Sequence, residues 1–186
     1  MATGTGLVAA ELLRRGSEVT GLDLSPEMLA VAHRRFGDDV GLINGSAEAL
    51  PLASESFDHL TVTHVLRYVA DPGATLAELA RVMRPGGRAI LSVDNEWNLR
   101  TLTSPRRFLQ AASSRGGAVR DWEFYDDGGH AVRLSLKTFT HSELAGLLSR
   151  NGFRVEDSVG IHVFTLLVPL ATAVPPLSLT TFLTSV

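Results

Sequence analysis

Residues 18–37, EVTGLDLSPEMLAVAHRRFG, hold a strand, a capped helix and a helix stop in one short run. Glu18 to Leu24 has the apolar, β-branched character of a strand. Ser25 then supplies an N-cap hydroxyl, and Pro26 sits at the first helical position, where its missing N–H does no harm. The helix should run through Met28 and Ala32 to Phe36 and stop at Gly37. Upstream, Leu7 to Arg15 reads as a helix ended by Gly16 and entered directly from Gly4-Thr5-Gly6. Downstream come two short strands, Val40 to Asn44 and Phe57 to Thr63. Asp71-Pro72 repeats the cap-plus-proline device and opens the helix LAELARVM, which must stop before Pro85-Gly86-Gly87. Arg88 to Val93 (RAILSV) is apolar enough for a central strand. Helix and strand patterns alternating through residue 95 imply βα units, hence an α/β, doubly wound, mainly parallel sheet.

From Asn95 to about Arg133 the alternation fails. This stretch holds both tryptophans, Trp97 and Trp122, the basic pair Arg106-Arg107 and the acidic turn Asp126-Asp127. It reads as an insertion with its own short helix. Thr140-His141-Ser142-Glu143 is a capping box for a last helix ending near Asn151-Gly152. Phe153 to Val159 and His162 to Val168 read as strands. From Ser158 to Val186 there is no Asp, Glu, Lys or Arg, but Pro169, Pro175 and Pro176 interrupt the run. A buried strand and an irregular tail, with no clear last strand after Val168, suit this better than a membrane helix.

The composition is that of a soluble globular domain: 45% hydrophobic and 20% charged residues in a chain of 186, suiting a single domain over residues 1–186. A net charge of −3 argues against a general nucleic-acid binder. With no cysteine, thiolate catalysis, disulfides and cysteine-ligated zinc are excluded. Nothing after Met1 resembles a secretory signal, so a cytoplasmic location is expected. Gly4 and Gly6 would let the backbone approach a ligand at a helix N-terminus, a weak sign alone. Asp23 ends its strand where a carboxylate can accept hydrogen bonds from both ribose hydroxyls of an adenosine ligand. Ser25 is the better N-cap, which leaves Asp23 for the ligand.

Four segments in order, ATGTG (2–6), VTGLDLSPEMLAVAHRR (19–35), NGSAEALPLASESFDHLTVTHVLRYVADP (44–72) and ELARVMRPGGRAILSV (78–93), closely resemble the class I S-adenosylmethionine-dependent methyltransferases. The resemblance is to the small-molecule group that includes the ubiquinone and menaquinone methyltransferases. It returns at TFTHSELAGLLSRNGF (138–153). It implies the class I methyltransferase fold, S-adenosyl-L-methionine as cofactor and a small-molecule methyl acceptor. From the net charge and the proline-interrupted tail, no nucleic-acid or membrane partner is expected. By position, Ala2, Gly4 and Gly6 would pass the methionine part of the cofactor, Asp23 would hold the ribose, and Leu24 and Met28 would line the base. Ser46, Ala47 and Glu48 would grip adenine, with Ser46 standing where the family often has Asp. Thr63, His64 and Val65 would border the methyl sulfonium. If the acceptor needs a general base, His64 is the first candidate, with Tyr68 and His130 behind it. His141 is explained as an exposed first-turn residue, and Arg84-Pro85-Gly86-Gly87 as a structural turn. The 95–140 segment would act as a lid, with Trp97, Phe108, Trp122 and Phe124 as apolar walls.

The family motif normally begins with a buried strand and an acidic residue, whereas this sequence opens at the residue just after them. The fold is therefore expected to lack its first strand, leaving unpaired groups on two interior strands and a slot between them. A reading frame that starts upstream, or a fragment, would explain this. Two rivals stand beside the methyltransferase reading. A nicotinamide-dependent Rossmann reductase has no Tyr-x-x-x-Lys pair to support it, since Lys137 lacks the tyrosine. A degenerate, non-catalytic methyltransferase-like protein is favoured by the missing strand and by Ser46.

Overall fold

A computed structural model describes residues 1–94, 118–125, 130–161 and 179–185. Helix α1 (Leu7–Arg14) leads to strand β1 (Val19–Asp23), α2 (Pro26–Phe36), a single 3₁₀ turn and β2 (Val40–Asn44). Then follow β3 (Phe57–Thr63), α3 (Pro72–Val82) and β4 (Met83–Asp94). The hairpin strands β5 (Ala118–Tyr125) and β6 (Ala131–Thr138) precede α4 (His141–Arg150), β7 (Arg154–Ile161) and β8 (Leu179–Ser185).

The helix boundaries follow the capping chemistry. Ser25 Oγ accepts from the Met28 N–H, and Asp71 Oδ1 accepts from the N–H groups of Gly73 and Ala74. Thr140 and Glu143 close a full capping box on α4. Gly37 stops α2 with φ 55, a left-handed conformation that glycine adopts without steric cost. His141 sits exposed in the first turn of α4 as expected, with Nε2 3.2 Å from Ser158 Oγ.

The sheet forms in two main parts. β1 pairs in parallel with β2 alone, while β3, β4, β8 and β7 form a second sheet in that order. β3 and β4 are parallel, and β8 runs antiparallel to both of its neighbours. Among the described residues no strand joins β1 to β3. A slot of about 850 Å³ opens there, with both strand edges in its lining.

Three sequence expectations change. The uncharged tail holds a strand, Leu179–Ser185 (LTTFLTS), inserted between β4 and β7, where an irregular end was expected. Its threonines are β-branched and suit a pleated surface, a signal hidden by the prolines before it. The described part of the 95–133 segment is an antiparallel hairpin with β6, whereas the short helix and the walls Trp97 and Phe108 lie outside the described residues. The proposed strand from His162 also lies outside them. Finally, Arg84-Pro85-Gly86-Gly87 interrupts β4 as a bulge: Phe57 is opposite Met83, and His59 already opposite Arg88. Gly87 is required there, since a Cβ would lie 2.9 Å from two carbonyl oxygens, those of Arg84 and Asp58.

The core is a continuous apolar cluster. Leu76, Leu79 and Val82 of α3 and Leu144 and Leu148 of α4 pack with Val62 of β3 and Ala89, Leu91 and Val93 of β4. Leu22 joins it from β1, so both parts of the sheet share one core. No helix among the described residues is long and apolar enough to cross a membrane.

Candidate functional site

The site is assembled just beyond the C-terminal ends of β1, β2, β3 and β4. In an open α/β sheet that edge is where ligands bind.

The first element is the loop before α1. Ala2, Gly4 and Gly6 all have positive φ, at 49, 51 and 82. At Gly6 a Cβ would fall 2.3 Å from the Phe36 ring, so both backbone conformation and packing demand glycine. Ala2 carries the same geometry with a Cβ, a strain that tends to persist at ligand-binding positions. The loop is tied to β1 by Thr3 N–H to Leu22 O at 3.1 Å and by Gly4 N–H to Asp23 Oδ2 at 2.7 Å.

Asp23 therefore has a task that the sequence did not disclose: its other oxygen accepts from the Ser25 N–H at 3.0 Å, so it joins the glycine loop to the start of α2. Each carboxylate oxygen retains acceptor capacity after one such bond. Leu24 is 72% exposed and Met28 45% exposed, so two apolar side chains stand free beside that carboxylate. Asn44, absent from the sequence-derived set, fixes this corner by donating from Nδ2 to the carbonyls of Asp23 and Leu24. A polar side chain ending a short apolar strand was the available signal.

After β2, Ser46 Oγ accepts from the Glu48 N–H, closing a tight turn around the half-buried Ala47. Glu48 accepts from the Asp71 N–H at 2.7 Å, which ties the loop after β2 to the entry of α3.

The fourth element follows β3. Thr63 ends that strand half-buried, and His64 has φ 55, held by its N–H bonding to Ser92 O at 3.1 Å and Ser92 Oγ at 3.2 Å. Its Nδ1 is buried and has no hydrogen-bond partner among the described residues. Burial lowers the His64 pKa, the neighbouring Asp94 opposes that, and Arg67 adds to it. The burial thus favours the neutral ring. Val65 points elsewhere, into the core. Tyr68 is 62% exposed, with the Arg67 guanidinium 5.3 Å from its ring centroid. His130 is exposed at the start of β6.

Arg67 and Asp94 were not anticipated. They form an ion pair at 2.7 Å, buried at the ends of β3 and β4 next to His64. The groups are close but not aligned: both Asp94 oxygens and Arg67 Nε lack hydrogen-bond partners among the described residues. Burial raises the Asp94 pKa, against the pull of Arg67 and His64. A buried, misaligned pair with spare polar capacity is costly to fold, which marks it as a place for a ligand or ordered water. Backbone bonds then attach the second half of the chain here. Lys137 N–H donates to Arg67 O at 3.0 Å, and Phe139 N–H to Asp94 O at 3.1 Å. Lys137 Nζ also donates to the carbonyls of Val69 and Ala70. No cluster of residues suited to a metal occurs among the described residues.

Residues 1–91 match the methyltransferase domain family. The chain is 42% identical over 93 residues to a demethylmenaquinone methyltransferase of Clavibacter sepedonicus, covering 49% of this chain and 38% of the relative. The chain thus spans well under half the length of that relative. Among solved structures, a SAM-dependent methyltransferase of Methanosarcina mazei has a TM-score of 0.75 at 21% identity, covering 98% of this chain and 88% of the other. The 1,6-didemethyltoxoflavin-N1-methyltransferase of Burkholderia thailandensis, solved with its substrate and S-adenosylhomocysteine, has a TM-score of 0.64 at 22% identity, over 98% of this chain and 67% of that one. The glycine loop, the Asp23 strand end and the segment around His64 thus lie inside the stretch that matches the methyltransferase domain family, and the chain shares its fold with solved S-adenosylmethionine-dependent methyltransferases.

Proposed function

We propose that this protein binds S-adenosyl-L-methionine along the ends of β1, β2 and β3 and transfers its methyl group to a small organic acceptor. One observation carries the reading. The Asp23 carboxylate is held by Gly4 and Ser25 with acceptor capacity to spare, beside exposed Leu24 and Met28. That donor set fits an adenosine: a ribose diol on the carboxylate, the base against the apolar pair, and the chain-like remainder over the positive-φ loop. When bound, the cofactor supplies a sulfonium-linked methyl for in-line displacement, so alignment and exclusion of water give much of the acceleration.

The chain's own residues divide that work. Asp23, Ser46 and Ala47 bind the nucleoside, while Thr63 and the His64 backbone border the reacting end. The neutral His64 ring is suited to accept a proton from a hydroxyl or acidic carbon of the acceptor. The Arg67–Asp94 pair fixes the segment on which His64 sits, and Tyr68 forms an exposed wall. The 95–140 segment supplies the acceptor-side lid, of which β5 and β6 are one part. Relatives that methylate demethylmenaquinone make an aromatic hydroxyl or quinol the first acceptor class to try. The reading carries with it a cytoplasmic location.

One observation favours a second reading, a methyltransferase-like protein without catalysis: the sheet is open directly beside the glycine loop. Calorimetric titration with S-adenosylhomocysteine, followed by an assay of methyl transfer to hydroquinone acceptors, separates the two. Binding with turnover supports the enzyme, and absence of binding supports the second reading. Binding without turnover on any acceptor overturns the enzyme reading while leaving the cofactor site in place.

A further inference from the structure

The ends of β3 and β4 gather more buried hydrogen-bonding capacity than the described residues use. Among those residues His64 Nδ1, Arg67 Nε and both carboxylate oxygens of Asp94 are buried without a hydrogen-bond partner. The backbone brings them together. Parallel pairing sets Thr63 opposite Ser92, and the His64 N–H bonds both to Ser92 O and to Ser92 Oγ. His64 and Asp94 therefore stand at adjacent strand ends. Arg67, on the segment that His64 opens, closes on Asp94 at 2.7 Å. Buried polar atoms without partners are rare in folded proteins, and these are complementary in kind. An ionised carboxylate only accepts, whereas a neutral imidazole can place its proton on either nitrogen.

We propose that Asp94 is the positioning partner of His64: its carboxylate takes the Nδ1 proton and fixes the ring as the Nδ1–H tautomer, with Nε2 bare toward the methyl acceptor. The inference rests on the reading of His64 as the acceptor's base, and names the residues that make it one. Which nitrogen carries the proton is set by the bond that the other nitrogen makes. Nδ1 is the buried nitrogen, which leaves Nε2 as the one through which the half-buried ring meets an acceptor. Of the two charges that act on the ring, Asp94 is the stronger and Arg67 the weaker. The two unpartnered Asp94 oxygens also outnumber the single unpartnered nitrogen of Arg67. Arg67 has a separate task. Burial pushes the Asp94 carboxyl up, and the guanidinium at 2.7 Å draws it back toward the ionised, accepting form. In use, the acceptor's O–H bond breaks as its oxygen bonds the methyl carbon, the S–C electron pair stays on sulfur, and the proton goes to Nε2. The imidazolium so formed remains paired with Asp94.

The test is heteronuclear NMR of the imidazole nitrogens in the whole chain at about pH 8, where His64 is neutral. Neither cofactor nor acceptor enters the measurement. A failed methyl-transfer assay therefore leaves it readable, and a negative result here says nothing against cofactor binding. The His64 signals are those lost in His64→Asn, a replacement suited to φ 55 because asparagine tolerates the left-handed region. The expected wild-type result is a protonated Nδ1 and a bare Nε2, with the Nδ1 proton shifted downfield and protected from solvent exchange. In Arg67→Met/Asp94→Leu, which removes both charges together, the proton should move to Nε2. A wild-type ring with its proton on Nε2 overturns the proposal and assigns Nδ1 to the Arg67 Nε–H instead. An Nδ1 proton that stays in place in the double variant also overturns it, since Asp94 is then not its acceptor. Should the double variant not fold, the wild-type Nδ1 proton decides: exchange as fast as at the exposed His33 overturns the proposal, and protection upholds it.

Discussion

Through residue 94 the described strands pair in parallel and alternate with helices, whereas from residue 118 onward every described pairing is antiparallel. The family match stops at residue 91, yet likeness to a solved methyltransferase extends over 98% of the chain. The caps, loops and strand ends of the first half carry the family match, whereas in the second half only the fold is shared. The halves meet along the β4–β8 ladder, in the shared core, and at a buried seam where Lys137 and Phe139 hydrogen-bond to the backbone of Arg67 and Asp94.

The seam is the most sensitive place to break the division. Arg67→Met leaves Asp94 buried beside no cation, and stability should fall by about 3–5 kcal/mol in urea titrations. Adding Asp94→Leu should restore most of it. A single-variant loss below about 1 kcal/mol would show that the pair is not buried in solution. Next, Asp23→Ala removes the carboxylate proposed to hold the ribose, and S-adenosylhomocysteine affinity should drop by about 100-fold in calorimetry. Lys137→Met, from the second half, should leave that affinity within about twofold and lower kcat/KM for the acceptor by about tenfold. Equal effects of these two variants on cofactor affinity would dissolve the division of labour.

A pH series sharpens the first half further. Burial depresses the His64 pKa below 6.5, so the native state favours the neutral ring. Its contribution to stability is complete above 6.5 and declines as pH falls through the lowered value. Wild-type stability should therefore slope down between pH 7 and pH 5, and His64→Asn should flatten that slope. Identical slopes would show that the ring is solvated. The smallest effect is expected at Thr140→Ala, which removes half of a capping box from α4. Thermal unfolding should report about 1 kcal/mol, with cofactor affinity unchanged.

What could be read from the sequence follows the range of the interactions. Ser25, Asp71 and Thr140 announce their helices because a cap acts within three residues. β2 and β3 fall at the expected residues because alternation of side chains is equally local. Asp23 was placed at its strand end, but its bond to Gly4 came only with the loop geometry. Arg67 and Asp94 stayed hidden because each is a lone charge at the end of an apolar run. Only the parallel pairing of β3 with β4 brings them together. The strand at Leu179–Ser185 escaped notice for the same reason: its partners, β4 and β7, lie far back along the chain.

That last strand sets a timetable for synthesis. Because β8 lies between β4 and β7, the two cannot become neighbours across it until residues 179–185 have left the ribosome. Every earlier intermediate exposes the free edge of β4, the strand whose other edge pairs with β3 in the middle of the core. Pairing over such sequence separation is slow, and exposed edges recruit other chains while they wait. Nascent chains halted before β8 would therefore depend on chaperones far more than chains halted one strand later.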